Sequence, residues 1–327
     1  MTQVVRFHEI GGPEVLRIED LPVGRPGPGE IRLRIEAIGL NRAEAMFRAG
    51  RYLRVPKFPS LIGMEATGVV EELGAGVQGF APGDHVCALP SIGPEYGVYA
   101  EQAIVPARGV IAAPPGLSAV QAASVWMQYF TAYAIIEIAH VGIGDFVLIP
   151  AASSSVGLAA IQLANWAGAV PIALTRHSAK AAALRAQGAQ HVLASTEVDV
   201  VAEVMRITGG KGVRAAFDPV GGPYIETLAK AMTDEGIVFV YGGLSEQPTP
   251  YPHWSAALKG LSIRGWVASA IWSKPERYTR VKDAILLGLA QGHLQPVIAR
   301  TFTLGQIVEA HRYLESNQQV GKIVVTV

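Results

Sequence analysis

The sequence predicts an α/β chain of two domains, one mostly β and one built on a doubly wound parallel sheet. Three observations carry this reading. The chain has 327 residues, too many for one ordinary core. Its first third consists of short alternating segments separated by turn formers. From about Trp126 the rhythm changes to strands alternating with helices of ten to fifteen residues, as in βαβ units.

Taken in order, residues 31–37 alternate Ile31, Leu33, Ile35 and Ala37 with charged neighbours, as a half-buried strand does. The run Pro26-Gly27-Pro28-Gly29 before it is a turn. Residues 68–86, GVVEELGAGVQGFAPGDHV, hold two strands around glycines and a Pro-Gly-Asp turn. Further on, 145–150 (DFVLIP) reads as a strand, 155–167 as a helix, 170–175 as a strand and 178–186 as a helix. Strands at 213–217 and 236–241 flank a helix at 223–231. After Ile263 the pattern loosens into a helix near 275–287, a strand around 296–302, a helix near 306–314 and a last strand, 322–327.

Composition narrows the function classes. Half the residues are apolar, 17% are charged, and 36 are glycine, which suits a well-packed α/β protein. Lys plus Arg and Asp plus Glu each number 27, so the net charge is zero, and no basic block marks a nucleic-acid or membrane surface. The single Cys87 excludes an internal disulfide framework and points to a reducing compartment. The N-terminus lacks the layout of a signal peptide, so a cytoplasmic protein is expected. Residues 146–175 carry no charge, but Pro150, Ser153-Ser154-Ser155, Gln162, Asn165 and Pro171 break the run. It reads as two buried strands and a small-residue helix rather than a membrane span.

The turn after 145–150 is Ala151-Ala152-Ser153-Ser154-Ser155-Val156-Gly157. It follows a strand and opens a helix, the context of a phosphate-binding turn, where small residues admit the backbone and the helix N-terminus offers free N–H groups. Serines there equally suit a plain helix cap. The end of the next strand is more telling. An NAD site places a carboxylate there for the ribose 2′-hydroxyl. Here the sequence is Ala173-Leu174-Thr175-Arg176-His177-Ser178-Ala179-Lys180. Arg176 and Lys180 are suited to a 2′-phosphate, so the expected cofactor is NADPH.

These pieces together resemble the medium-chain dehydrogenase/reductase superfamily over essentially the whole chain. The resemblance rests on HEIGGPEVL from His8, AIGLNRAEAMFRAGRY from Ala37 and GMEATGVVEELGAGVQGFAPGDHV from Gly63. It continues in AASSSVGLAAIQLANWAGA from Ala151, FDPVGG from Phe217, YGGLS from Tyr241 and GKIVV from Gly321. It implies a GroES-like β domain at 1–125, completed by 264–327, and a Rossmann dinucleotide-binding domain at 126–263. Within the superfamily, GGPEVL and Gly39-Leu40-Asn41 are similar to the zinc-free quinone oxidoreductase branch. That branch implies hydride transfer from NADPH to a small-molecule quinone or α,β-unsaturated carbonyl. A reductase of 2-enoyl thioesters and a non-catalytic NADPH-binding protein are the alternatives, and Arg48, Arg51 and Arg54 leave the thioester open.

The resemblance also assigns residues. Asn41 and Tyr52 are placed by it in the cleft facing the nicotinamide, as the catalytic pair. Lys180 falls at the 2′-phosphate, beside Arg176, and Ser154, Ser155 and Val156 at the pyrophosphate. Thr131, Val220, Gly242, Ser245 and Lys322 are carried over as further nucleotide contacts. Two positions depart from the branch: Met46 stands where Tyr is frequent, and Ser195 where an aromatic cofactor contact is found.

Zinc dehydrogenases of the superfamily need a catalytic Cys and His and often four structural Cys. Asn41 lies in the segment of the catalytic Cys, Met64 takes the place of the His, and Cys87 has no companion. No zinc is expected at either site. Without a metal, the charge that develops on a substrate oxygen needs another donor, and Tyr52 is the candidate, with a packing aromatic as the plain alternative. Arg51 beside it would favour phenolate character if its side chain points inward. Glu65 is read as structural, and His8, His177 and His253 as structural or surface groups. A homodimer is expected, with 238–241 and 261–267 as the sheet edges that invite a partner.

Overall fold

The computed structural model describes residues 1–90 and 95–327. The chain forms two compact units: Met1–Met127 with Pro296–Val327, and Gln128–Gln295.

In the first unit the expected strand at 31–37 extends over Glu30–Gly39 and becomes the centre of a seven-stranded sheet. The order is Ile298–Thr303, Lys322–Thr326, Glu30–Gly39, Ala66–Leu73, His85–Ala88 and Val110–Ala112, with Gln102–Pro106 also paired to the central strand. Alternation does what the sequence suggests: Ile31, Leu33 and Ile35 point into a core with Val86, Val105, Phe302 and Val325. The C-terminal strand lies antiparallel to the central one, Val324 opposite Gly39. That pairing brings Lys322 back to the first forty residues. A second, three-stranded sheet joins Arg17–Leu21, Thr2–Phe7 and Ser60–Leu61.

The second unit is a six-stranded parallel sheet in the order His191–Ala194, Val170–Thr175, Phe146–Ile149, Val213–Asp218, Met232–Val240, Ser262–Gly265. The uncharged run resolves into the strand Phe146–Ile149, the helix Ser155–Trp166 and the strand Val170–Thr175. Leu148, Ile172 and Leu174 are wholly or almost wholly buried because helices cover both faces of such a sheet. Among the described residues no helix is long and apolar enough to cross a membrane. The helix expected at 178–186 starts as a 3-10 turn, Ser178–Lys180, and continues as Ala181–Ala186.

Two sequence expectations need correction. Residues 264–295, read above with the first domain, fall in the second unit. The strand Ser262–Gly265 is hydrogen-bonded to Met232–Val240, and the chain beyond it stays tied there. The Trp266 indole donates to the Thr131 carbonyl at 2.9 Å, and Arg277 and Arg280 pair with Glu137. For the same reason 238–241 is no sheet edge, since its strand is paired on both sides. The edges are His191–Ala194 and Ser262–Gly265, and the second lies within the expected stretch 261–267.

Candidate functional site

In the first unit, the Asn-x-x-Glu spacing of Asn41 and Glu44 builds the start of the helix Arg42–Arg48. The Asn41 amide donates to the Glu44 carboxylate at 2.7 Å, so the acid folds back onto the first turn. Glu44 also accepts from the Met64 amide at 2.8 Å and the Tyr99 hydroxyl at 2.6 Å. Three donors do not offset complete burial, which raises its carboxyl to about 7. Behind Tyr99 the polar chain continues. His311 Nε2 lies 3.3 Å from the Tyr99 oxygen, and His311 Nδ1 lies 2.7 Å from Arg48 Nη1. A guanidinium only donates, so Nδ1 is the acceptor and Nε2 carries the hydrogen towards Tyr99. Burial first, then Arg48 and Arg42, hold His311 down at about 3. Arg48, expected as a cation at the cleft mouth, is instead fully buried and paired with Glu315 at 2.6 Å. That removes one of the three arginines that left a thioester substrate open.

Tyr52 lines a pocket with Glu44, Phe47, Arg54, Met64 and Tyr96. Its hydroxyl is raised by desolvation, with Arg54 opposing and Glu44 adding. The cation that acts on it is Arg54 rather than Arg51, and the net effect is a neutral phenol, not a phenolate. Asn41 has a different setting. Its side-chain nitrogen donates to the Gly39 carbonyl at 2.9 Å, and its oxygen accepts from Lys322 Nζ at 2.7 Å. Lys322 Nζ in turn sits 2.6 Å from Glu65, and the other Glu65 oxygen accepts from the Met127 amide at 2.9 Å. Gly39 makes room for this cluster: a Cβ there would lie 2.0 Å from the Ala123 carbonyl oxygen and 2.8 Å from Lys322 Cε. The ammonium carried over as a nucleotide contact is thus committed to Glu65 and Asn41. Cys87 is buried and pushed up to about 12, which leaves an inert thiol.

In the second unit, the serine turn combines both readings of its sequence. Ala151 takes a left-handed φ of 48°, and Ser154 caps the helix, its hydroxyl accepting from the Gly157 amide at 3.0 Å. The helix then packs close, since a Cβ on Gly157 would come within 2.6 Å of the Ala152 carbonyl oxygen. Ser155 and Val156 sit in the first turn, where backbone N–H groups have no partner within the helix. At the tip of the next strand Arg176 is exposed, and Lys180 reaches back to the Ser153 hydroxyl at 3.0 Å. Desolvation first, then Arg176, lowers the Lys180 ammonium. Lys180 is therefore held against the serine turn, with Arg176 near enough to act on its charge. An acid the sequence reading missed also approaches this tip, because Glu197 accepts from the Ser178 amide at 2.9 Å.

Val220, Gly242 and Ser245 are brought together at the ends of the strands Val213–Asp218 and Met232–Val240. The Ser245 amide donates to the Val220 carbonyl at 2.8 Å, and a Cβ on Gly242 would lie 2.5 Å from the Pro219 oxygen. Asp218 organises this corner by accepting from the amides of Val220 at 2.8 Å and Gly221 at 3.0 Å. Thr131 lies elsewhere in the unit, in the helix Trp126–Ala132, with its carbonyl taken by Trp266. Sequence reasoning missed Glu44, Tyr99, His311 and Asp218. For Glu44 the spacing from Asn41 was the available signal; Asp218 lay in plain view at a strand end.

Residues 27–115 match the family model described as alcohol dehydrogenase GroES-like domain, and 155–285 match the one described as zinc-binding dehydrogenase. The chain is 31% identical to the 2-haloacrylate reductase of Burkholderia sp, over 99% of both chains. It is 30% identical to the quinone oxidoreductase of Pongo abelii, over 99% of this chain and 98% of that one. Among solved structures, the quinone oxidoreductase of Escherichia coli complexed with NADPH superposes with a TM-score of 0.91 at 27% identity, covering 99% of this chain and 100% of that chain.

The second family name implies zinc, and the residues present do not fit it. Where a metal would need thiolate and imidazole, this chain has Asn41, Met64 and Glu65, with the Lys322 ammonium already between Asn41 and Glu65. Among the described residues no group of three or more His, Cys, Asp or Glu side chains is placed to hold a metal ion.

Proposed function

We propose that this chain, which belongs to the quinone oxidoreductase-like branch of the medium-chain dehydrogenase/reductase superfamily, reduces a quinone or an α,β-unsaturated carbonyl without zinc. It is an NADPH-dependent oxidoreductase. One observation carries the cofactor reading most of the way. Arg176 and Lys180 stand together at the tip of the second strand, and Lys180 bridges to the serine turn. Two cations at one strand tip favour a dianion, and a 2′-phosphate supplies one.

When bound, NADPH supplies the hydride. The chain holds the nucleotide through Ser154, Ser155 and Val156 at the serine turn, with Val220, Gly242 and Ser245 at the neighbouring corner. Arg176 and Lys180 take the 2′-phosphate. In the first unit Tyr52, kept neutral by burial, donates to the substrate oxygen as negative charge grows there, and then yields its proton or exchanges it with solvent. Asn41 acts as a positioning residue, because its amide is turned to Gly39, Glu65 and Lys322. The protein works in the cytoplasm as a homodimer joined along the edge strand Ser262–Gly265. Trp254 and Leu258, 77% and 83% exposed on the helix His253–Lys259 that precedes this strand in the chain, support an apolar partner surface.

The test is NADPH oxidation by metal-stripped protein against a panel of quinones, enals and enoyl thioesters. Turnover with quinones or enals supports the proposal. Turnover confined to thioesters, or to zinc-loaded protein, overturns it.

A further inference from the structure

Two buried phenols stand at the strand ends of the second unit, outside the set of residues assigned so far. The hydroxyl oxygens of Tyr224 and Tyr241 are both out of water, and neither meets a partner at full hydrogen-bond geometry, although each interacts with a serine hydroxyl, Tyr224 with Ser195 and Tyr241 with Ser154. A buried hydroxyl left that way is costly, so a fold that keeps two of them under the influence of one acid, Asp218, needs a reason. Tyr241 follows the strand Met232–Val240 and is held flat against Phe217, ring centroids 4.2 Å apart. Its hydroxyl lies beside Ser154, whose own oxygen is already accepting from Gly157. Tyr224 ends the 3-10 turn Gly222–Tyr224, and its hydroxyl lies beside Ser195. The Ser195 amide is bonded to Thr175 at 2.8 Å, the residue before Arg176. Asp218, which influences both phenols, has its oxygens engaged by the amides of Val220 and Gly221. One phenol thus marks the serine turn and the other the strand tip with the basic pair.

We propose that these two hydroxyls are grips on the dinucleotide supplied by this chain, Tyr241 donating to the pyrophosphate and Tyr224 to the 2′-phosphate. The inference rests on the NADPH reading above. Both groups are acids weak enough to stay protonated: burial first and then Asp218 raise them, Tyr224 to about 12. Both are therefore donors at any working pH, which is what phosphate oxygens require. The arrangement also gives each tyrosine a different ligand signature, because only NADPH carries the 2′-phosphate while NADPH and NADH share the pyrophosphate.

The experiment measures dissociation constants of NADPH, NADH and adenosine 2′,5′-bisphosphate by calorimetry for wild type, Tyr241→Phe and Tyr224→Phe, with the Tm of each ligand-free protein. Tyr241→Phe weakens NADPH and NADH alike by about tenfold. Tyr224→Phe weakens NADPH and the bisphosphate by about tenfold and leaves NADH close to wild type. Ligand-free Tm stays within a degree or two of wild type, since each change deletes an oxygen that makes no full hydrogen bond in the fold. Wild-type affinities in both variants overturn the proposal while leaving the NADPH reading intact. A fall in ligand-free Tm with all three ligands weakened equally assigns the hydroxyls to the fold and overturns it too. Wild-type protein that binds no NADPH overturns the reading and the proposal together.

Discussion

The ammonium of Lys322 lies 2.6 Å from the carboxylate of Glu65, and both side chains are excluded from water, at 1% and 0% exposure. The pair ties the last strand to the residue before the strand Ala66–Leu73, whose other oxygen holds the Met127 amide, and it orients Asn41 on the way. A buried pair of this kind contributes little net stability, yet removing one partner strands a charge. Lys322→Met is expected to cost about 3–5 kcal/mol and to lower the apparent Tm by roughly 6–20 °C. The double variant Lys322→Met, Glu65→Gln recovers at least half of that loss. Thermal unfolding checks this, and a Lys322→Met protein as stable as wild type contradicts it.

Glu44 gives the fold a pH dependence with a definite sign. Its carboxyl titrates at about 7 in the folded protein, above the reference of about 4.3 for an unfolded chain. A raised folded value means stability that is whole below the unfolded pKa and fades as pH rises through 7. The Tm advantage of wild type over Glu44→Gln is therefore expected to shrink between pH 5 and pH 8. His311, depressed to about 3, works in the opposite direction at acid pH but is present in both proteins, so the difference isolates Glu44. An advantage that grows with pH means the carboxylate is held ionised and this burial argument fails.

Much of the fold was legible because it is local. The alternation of 31–37 and the uncharged run broken by serines and Pro171 each encode an element within a dozen residues. The Asn41–Glu44 spacing is an equally local signal of a helix start, but the sequence reading passed over it. The cluster at Lys322 was not legible, since its partners are 257 and 281 residues away and only strand pairing brings them together. The boundary after Ile263 was misread for a related reason: a short edge strand of exposed and half-buried residues carries little hydrophobic signal. Likewise, nothing in the sequence around Arg48 tells a cleft cation from one sealed beneath His311 and Glu315.

Tyr52 carries the chemical prediction. Tyr52→Phe is expected to lower kcat for enone-like acceptors by about a hundred- to a thousandfold, with NADPH affinity little changed. The loss is smaller for good quinones, whose reduced anion takes a proton from water. Steady-state kinetics with one acceptor of each class decides it. Wild-type rates with both make Tyr52 pocket wall.

The proposed dimer has its own check. Replacing Trp254 and Leu258 together by Glu places two carboxylates on the exposed side of the helix that precedes the edge strand in the chain. Light scattering at micromolar concentration is expected to fall from a dimeric to a monomeric mass, with the monomer still folded. A wild-type protein that is already monomeric across that range refutes the assembly.

The central claim is that the basic pair at the second strand tip selects NADPH, and Arg176 tests it most directly. Each charge-assisted contact to a phosphate contributes roughly 1.5–3 kcal/mol. The measurement is the Kd of NADPH and of NADH for wild type and Arg176→Ala, under one buffer and salt condition. The account predicts NADPH binding weakened by about ten- to a hundredfold and NADH binding nearly unchanged. Equal weakening of both cofactors, or none, contradicts it and moves Arg176 to the fold or to the pyrophosphate.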